Sequence, residues 1–168
     1  MLEGYRVWLL AKAYNPYKGF GIPMLHAAGS HSHGFWQPGV NKAKCHKLMG
    51  RIPILRYLHV IPSKTCGCGI TALKKIDTSI LEGAEPANAD GSCYIWGAIT
   101  LWGRYIETET AYRAEYAKIE ALFRPQSSII YIGLLNPFGE RSPLEKVEDG
   151  NVLESIARFY QVPLVPLP

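Results

Sequence analysis

Residues 93–106 (CYIWGAITLWGRYI) alternate between two faces that are both largely apolar. One face carries Cys93, Ile95, Gly97, Ile99, Leu101, Gly103 and Tyr105, and the other Tyr94, Trp96, Ala98, Thr100, Trp102, Arg104 and Ile106. A strand that is apolar on both faces is covered on both, so this segment reads as a central strand or one curled into a barrel. Gly97 and Gly103 inside it point to a bulge, a bend, or close approach of a ligand or another backbone. Residues 4–13 (GYRVWLLAKA) read as an opening strand, 54–61 (ILRYLHVI) as another and 127–135 (SSIIYIGLL) as a buried one. Residues 14–41 read as loop, because Pro16, Gly19, Gly21, Pro23, Gly29, Gly34 and Pro38-Gly39 interrupt any regular period. Residues 70–82 fit either a short helix or an irregular connection, and residues 83–92 (GAEPANADGS) a polar loop.

Residues 111–123 (AYRAEYAKIEALF) pull in two directions. Ala and Glu favour helix, and Tyr112, Tyr116, Ile119 and Phe123 share one helical stripe. The alternative is a returning strand, with Glu107 to Thr110 as the hairpin turn. Propensity alone prefers the helix. Farther on, Ser142-Pro143-Leu144-Glu145 has a capping-box pattern with Pro at the first helical position. Asp149 is placed to cap a second helix whose face carries Val152, Leu153, Ile156, Phe159 and Tyr160, and Pro163 stops it. No repeat or linker divides the chain, so residues 1–168 read as a single domain. The expected fold is α+β: a mainly antiparallel curled sheet or small, partly open barrel with C-terminal helices.

Composition narrows the class. Of 168 residues 48% are hydrophobic, enough for a real core, and the 19% charged content with ten Tyr and four Trp argues against disorder. The net charge of +4 and pI near 8.9 are only mildly basic. A dedicated DNA-binding domain carries a stronger, clustered excess, yet a nucleic-acid or phosphate-bearing partner stays compatible. No run approaches the ~20 apolar residues of a membrane span, and the first residues lack the pattern of a secretory signal. A cytoplasmic location without a membrane partner is expected, with the four cysteines reduced or metal-bound.

The main chemical candidate is Cys45, His59, Cys66 and Cys68. Zinc prefers thiolate and imidazole in a tetrahedral shell, and a structural site is closed by four protein ligands. The glycines of Cys66-Gly67-Cys68-Gly69 let both sulfurs turn toward one ion. Cys93 is an alternative to Cys45, and His46 to His59. Unrelated buried thiols, or a redox pair, are the competing readings. A second candidate is His26, His31 and His33, where the His-x-His pair points both rings one way on an extended segment. A metal there would have open positions for catalysis, although an exposed polar loop explains the same residues. A third is the aromatic, charged stretch Trp96, Trp102, Arg104, Glu107, Glu109, Tyr112, Arg113, Glu115 and Tyr116. Trp and Tyr beside Arg stack bases or hold planar ligands, and equally make a well-packed, salt-bridged sheet. Walker A, GxGxxG, GxSxG, HExxH and zinc-deaminase patterns do not occur.

An ordered series of phrases resembles a group of uncharacterised bacterial, largely actinobacterial, proteins with no known activity. The phrases are Tyr5-Arg6-Val7-Trp8; Trp36-Gln37-Pro38-Gly39 with Ala43-Lys44-Cys45; His59-Val60-Ile61-Pro62; Cys66-Gly67-Cys68-Gly69-Ile70; Gly97 to Arg104; Tyr112 to Ala117; and Tyr160-Gln161-Val162-Pro163. The resemblance implies that Cys45, His59, Cys66 and Cys68 form one set, and that 93–123 is strand–turn–strand. By loose architectural analogy the curled sheet is PUA- or ASCH-like.

Three functional classes follow. The leading one is a zinc-stabilised binding module, its zinc stapling the N-terminal half to the sheet. Trp96, Trp102, Arg104, Glu109, Tyr112 and Arg113 would face nucleic acid or another anionic, planar ligand. The second is a metal-dependent hydrolase or nuclease using the His26/His31/His33 loop, with Glu107, Glu109 and Glu115 as acid/base groups and Arg104 and Arg113 for an anion. The third is a protein–protein adaptor, including a phage or host-defence regulator.

Overall fold

The computed structural model describes residues 1–15, 19–20, 24–27, 34–45, 60–76, 94–124, 129–135 and 141–168. Among these it has ten strands and one helix: β1 (Leu2–Asn15), β2 (Gly19–Phe20), β3 (Met24–Ala27), β4 (Val40–Lys42), β5 (Ile70–Leu73), β6 (Tyr94–Glu107), β7 (Ala111–Arg124), β8 (Ile129–Leu135), β9 (Arg141–Glu148), α1 (Asp149–Tyr160) and β10 (Leu164–Pro166). No helix among the described residues is long and apolar enough to cross a membrane.

The doubly apolar stretch is β6, and it is central. It pairs antiparallel with β1 from Leu2↔Leu101 to Leu9↔Tyr94, and with β7 from Gly97↔Leu122 to Glu107↔Tyr112. On the far edge of β7 lie β5 at Ala111–Ala114, β4 at Tyr116–Lys118 and, in parallel, β10 at Leu122–Arg124. β5 returns to β1 at Tyr5↔Leu73. The pairings β1–β6, β6–β7, β7–β5 and β5–β1 therefore close a small ring. β8 extends the sheet in parallel with β1 at Ala11–Ala13, and β9 pairs antiparallel with β8.

The inner face of the ring forms the core. Leu2, Gly4, Trp8 and Leu10 of β1 meet Ile95, Ile99 and Leu101 of β6, Ala114, Ala117 and Ile119 of β7, and Ile70 and Ala72 of β5. Trp8, Leu10, Leu101, Ala114 and Ala117 have no exposed surface. Burying each large apolar side chain here contributes roughly 1.5–3 kcal/mol. The helix α1 adds Leu153, Ile156, Ala157 and Tyr160 to the same core.

Two helical expectations give way to strands. Residues 111–123 form β7 despite their helical composition, because both edges of the segment are taken by sheet partners. The capping-box segment at Ser142 to Glu145 belongs to β9, where Ser142 and Glu145 stand opposite Leu134 and Ile132 of β8. A local capping signal of about 1 kcal/mol loses to a strand edge that needs a partner. The second expected helix is α1, so one C-terminal helix stands where two were expected. The loop expected over 14–41 includes the short strands β2, β3 and β4. Of the strand expected at 54–61, residues 54–59 lie outside the described residues, as does the loop at 83–92. Val60 and Ile61 are not in a strand.

Candidate metal centre and aromatic face

Three of the four expected ligands come together. Cys45 follows β4, and Cys66 and Cys68 precede β5. Their sulfurs all lie within 4.8 Å of one another, and Cys45 Sγ is 3.7 Å from Cys66 Sγ. That distance is far beyond the ~2.05 Å of a disulfide. It matches the about 3.8 Å edge expected of a tetrahedron with ~2.3 Å metal–sulfur bonds. Cys68 is buried, while Cys45 and Cys66 are half-buried. Three neighbouring thiols that fit one ion make a potential metal site. His59, the fourth expected ligand, lies outside the described residues, as do the alternatives His46 and Cys93.

Both ligand-bearing segments are fastened to β7. The Ala43 N–H donates to the Glu115 carbonyl at 2.8 Å, which continues the β4 ladder to within two residues of Cys45. Arg113 Nη1 donates to the Cys66 carbonyl at 2.6 Å. Between Cys68 and β5 the chain turns at Gly69, whose φ is +117°. A Cβ there would sit 2.9 Å from Pro62 Cβ, so only glycine combines this turn with this packing. Burial, followed by hydrogen bonding and repulsion among the thiols, pushes the Cys68 thiol up to about 11. Without a cation the Cys68 sulfur therefore stays a neutral thiol, and only a bound cation would hold all three sulfurs as thiolates this close together.

The third candidate group does not form one surface. Trp102 and Tyr116, opposite each other on the outer face of β6–β7, stack with centroids 6.0 Å apart and planes at 13°. Lys42 Nζ lies 5.3 Å from the Tyr116 ring centre. Arg104, 58% exposed, bonds Glu115 at 3.1 Å. These residues make an aromatic strip across β4, β7 and β6, with Lys42 over Tyr116 and Arg104 paired to Glu115. Tyr112 belongs to a separate group near the hairpin turn, with Lys74 5.0 Å over its ring and Lys74 paired to Glu107 at 2.6 Å. Glu109 is exposed in that turn. Arg113 serves the cysteine loop, and Trp96 is only 2% exposed, toward the other end of β6.

Sequence reasoning passed over Lys42 as a candidate and left Tyr116 out of the favoured ligand surface. Counting back from the 107–110 turn puts Trp102 opposite Ala117. The irregularity between Trp102 and Tyr105 shifts its partner to Tyr116. Gly103, flagged in the sequence as a bulge position, carries that irregularity with φ +79°. In the histidine group, His26 is half-buried on β3 with its ring edge-on to Phe35 at 5.2 Å. His31 and His33 lie outside the described residues.

No protein-family model, curated protein or solved structure matches this chain.

Proposed function

We propose that the chain is a zinc-stabilised binding module whose outer β4–β7–β6 face takes nucleic acid or another anionic, planar ligand. The observation that carries the metal half is the spacing of Cys45, Cys66 and Cys68, which suits a tetrahedral thiolate shell. His59 is the fourth ligand in this reading. The ion is structural, because four protein ligands leave no position for substrate. It fixes the 61–69 segment and the end of β4 onto β7, the strand that carries Tyr116. The ring of strands supports a loosely PUA- or ASCH-like architecture.

The ligand half rests on the strip of Lys42, Tyr116, Trp102 and Arg104. A stacked aromatic pair with Lys42 on one side and the exposed Arg104, which would exchange Glu115 for a phosphate, on the other offers a base a flat surface and its phosphates cationic partners. The net charge of +4 acts in the same sense.

Metal analysis of the purified chain tests the first half. One zinc per chain is expected, lost together with folding in Cys66→Ser. Full stability of that variant without metal overturns the structural zinc. A tryptophan-fluorescence titration with single-stranded oligonucleotide tests the second half. Binding should weaken steeply with salt and fall about tenfold in Trp102→Ala, since a stacked base is worth ~1–3 kcal/mol. Binding that is absent, or indifferent to salt, removes nucleic acid as the ligand.

A further inference from the structure

Arg6 is a cation on the inner face of the ring. It follows Gly4 and precedes Trp8 and Leu10 on the side of β1 that faces the core, and it stands opposite Gly97 of β6. A guanidinium carries five N–H donors and no acceptor, and one placed in a protein interior is ordinarily paired with a carboxylate. Among the described residues none pairs with Arg6. One Nη donates to the Thr71 carbonyl, the group lies 5.3 Å from the centre of the Trp36 ring, and Nε is buried without a partner. Burial lowers its pKa to about 10, so the group stays charged at neutral pH.

A second donor without a partner lies on the same face of β1. Trp8 has no exposed surface, and its Nε1 has no hydrogen-bond partner. Positions i and i+2 of a strand share one face, roughly 7 Å apart. The benzenoid edge of Trp8 packs at Gly97, where a Cβ would come within 2.9 Å of Cζ3. This leaves Nε1 on the far side of the indole. Trp36, 2% exposed, touches both: its ring lies under Arg6 and meets Trp8 at 5.1 Å and 84°. Two buried N–H groups without acceptors, Arg6 Nε and Trp8 Nε1, on residues that both touch one indole are chemically half of a binding site. An unpaired buried donor is destabilising, and more so when it is charged.

The strand pairing supplies a way in. Tyr5 pairs with β6 on one edge and β5 on the other, and Trp8 pairs with β6 on one edge and β3 on the other. Among the described residues the outer neighbour of β1 thus changes from β5 to β3 across Arg6 and Val7, which pair there on the β6 side only. The seam lies where Arg6 reaches Thr71 and Trp36, and Arg6 itself is only half-buried.

We infer that the seam between β5 and β3 is a binding site for a small oxyanion, a carboxylate or phosphate group, held by the Arg6 guanidinium and the Trp8 indole N–H against Trp36. The site is separate from the Lys42–Tyr116–Trp102 strip and stands whether or not that strip binds nucleic acid. The oxyanion supplies acceptors for both buried donors and a countercharge for Arg6. Phosphate and carboxylate share this chemistry, and either a free small anion or the terminal phosphate of a larger molecule delivers it.

The test is a titration of the 15N-labelled full chain, followed by NMR at the Arg6 Nε–H and Trp8 Nε1–H. Inorganic phosphate, acetate and chloride are compared at equal ionic strength. A saturable shift of both resonances with phosphate or acetate, and not with chloride, is expected. In Arg6→Met the affinity should drop at least tenfold. Where that variant does not fold, Arg6→Lys keeps the charge without the fork and should also bind at least tenfold more weakly. Trp102→Ala should leave the titration unchanged. Competition by a 5′-phosphorylated oligonucleotide but not its unphosphorylated twin identifies a terminal phosphate as the source, and competition by neither identifies a free anion. The absence of any saturable shift at Arg6 and Trp8, or unchanged affinity in the folded Arg6 variants, overturns the inference.

Discussion

The Tyr160 hydroxyl, at the end of α1, donates to the Trp36 carbonyl at 2.9 Å and accepts from the Leu25 N–H at 3.1 Å. One phenol therefore satisfies two backbone groups and ties the helix to β3 and to the segment carrying Trp36. Tyr160→Phe keeps the ring and orphans both partners, so unfolding in urea should show a loss of about 1–3 kcal/mol. The same hydroxyl predicts alkaline sensitivity. Burial pushes its pKa up to about 12 from an ordinary 10. The folded state then holds the proton more tightly than the unfolded one. This contribution is complete below pH 10 and is lost as pH rises toward 12. The fall in stability over that interval should be shallower in Tyr160→Phe.

Arg113 is predicted to act on the metal without touching it. Its 2.6 Å hydrogen bond to the Cys66 carbonyl orients the loop that carries two of the sulfurs. Removing groups that orient metal ligands typically costs 10–100-fold in affinity. Arg113→Met should lower zinc affinity by about that factor in competition with a chromophoric chelator. Unchanged affinity would make the contact merely structural.

Metal affinity should rise with pH. Zinc binds thiolate, and the Cys68 thiol is held up to about 11 when no cation is bound. Binding must expel protons across the neutral range, so zinc titrations in buffers of different ionisation enthalpy should report proton release. Zinc uptake without proton release would mean that other atoms hold the ion.

Gly103 should not tolerate a side chain. At φ +79° it occupies the left-handed region, and a Cβ would lie 2.8 Å from Tyr116 Cδ2. Gly103→Val should cost on the order of 1–3 kcal/mol. It should also disturb the Trp102–Tyr116 stack, visible as a shift in tryptophan emission. A variant of wild-type stability with unshifted emission would show that the bulge does not set the stack.

Much of this arrangement is legible in the sequence where one interaction dominates. The two-sided apolar alternation of 93–106 marks β6 to within a residue at each end, and its glycines mark the bulge. The cysteine spacing draws Cys45, Cys66 and Cys68 together. Legibility fails where crowding imitates propensity. Ala114 and Ala117 stand beside Ile70 and Leu101 on the neighbouring strands and are fully buried inside a narrow ring. Space, not helix preference, selects them there. Arg6 was readable only as a cation at an alternate position of an apolar strand. Its meaning depends on the change of partner strand beside it, which no local pattern encodes.

The crowded far edge of β7 has a kinetic consequence. β4, β5 and β10 reach it from positions near 40, 70 and 165, whereas β6 reaches its other edge across a tight turn. Local pairings form quickly and distant ones wait on loop closure. The β6–β7 hairpin should be the early nucleus, with the parallel seam of Leu164–Pro166 closing late. Substitutions at Leu101 or Ala117 are then expected to slow refolding, while Leu164→Ala chiefly accelerates unfolding in stopped-flow measurements.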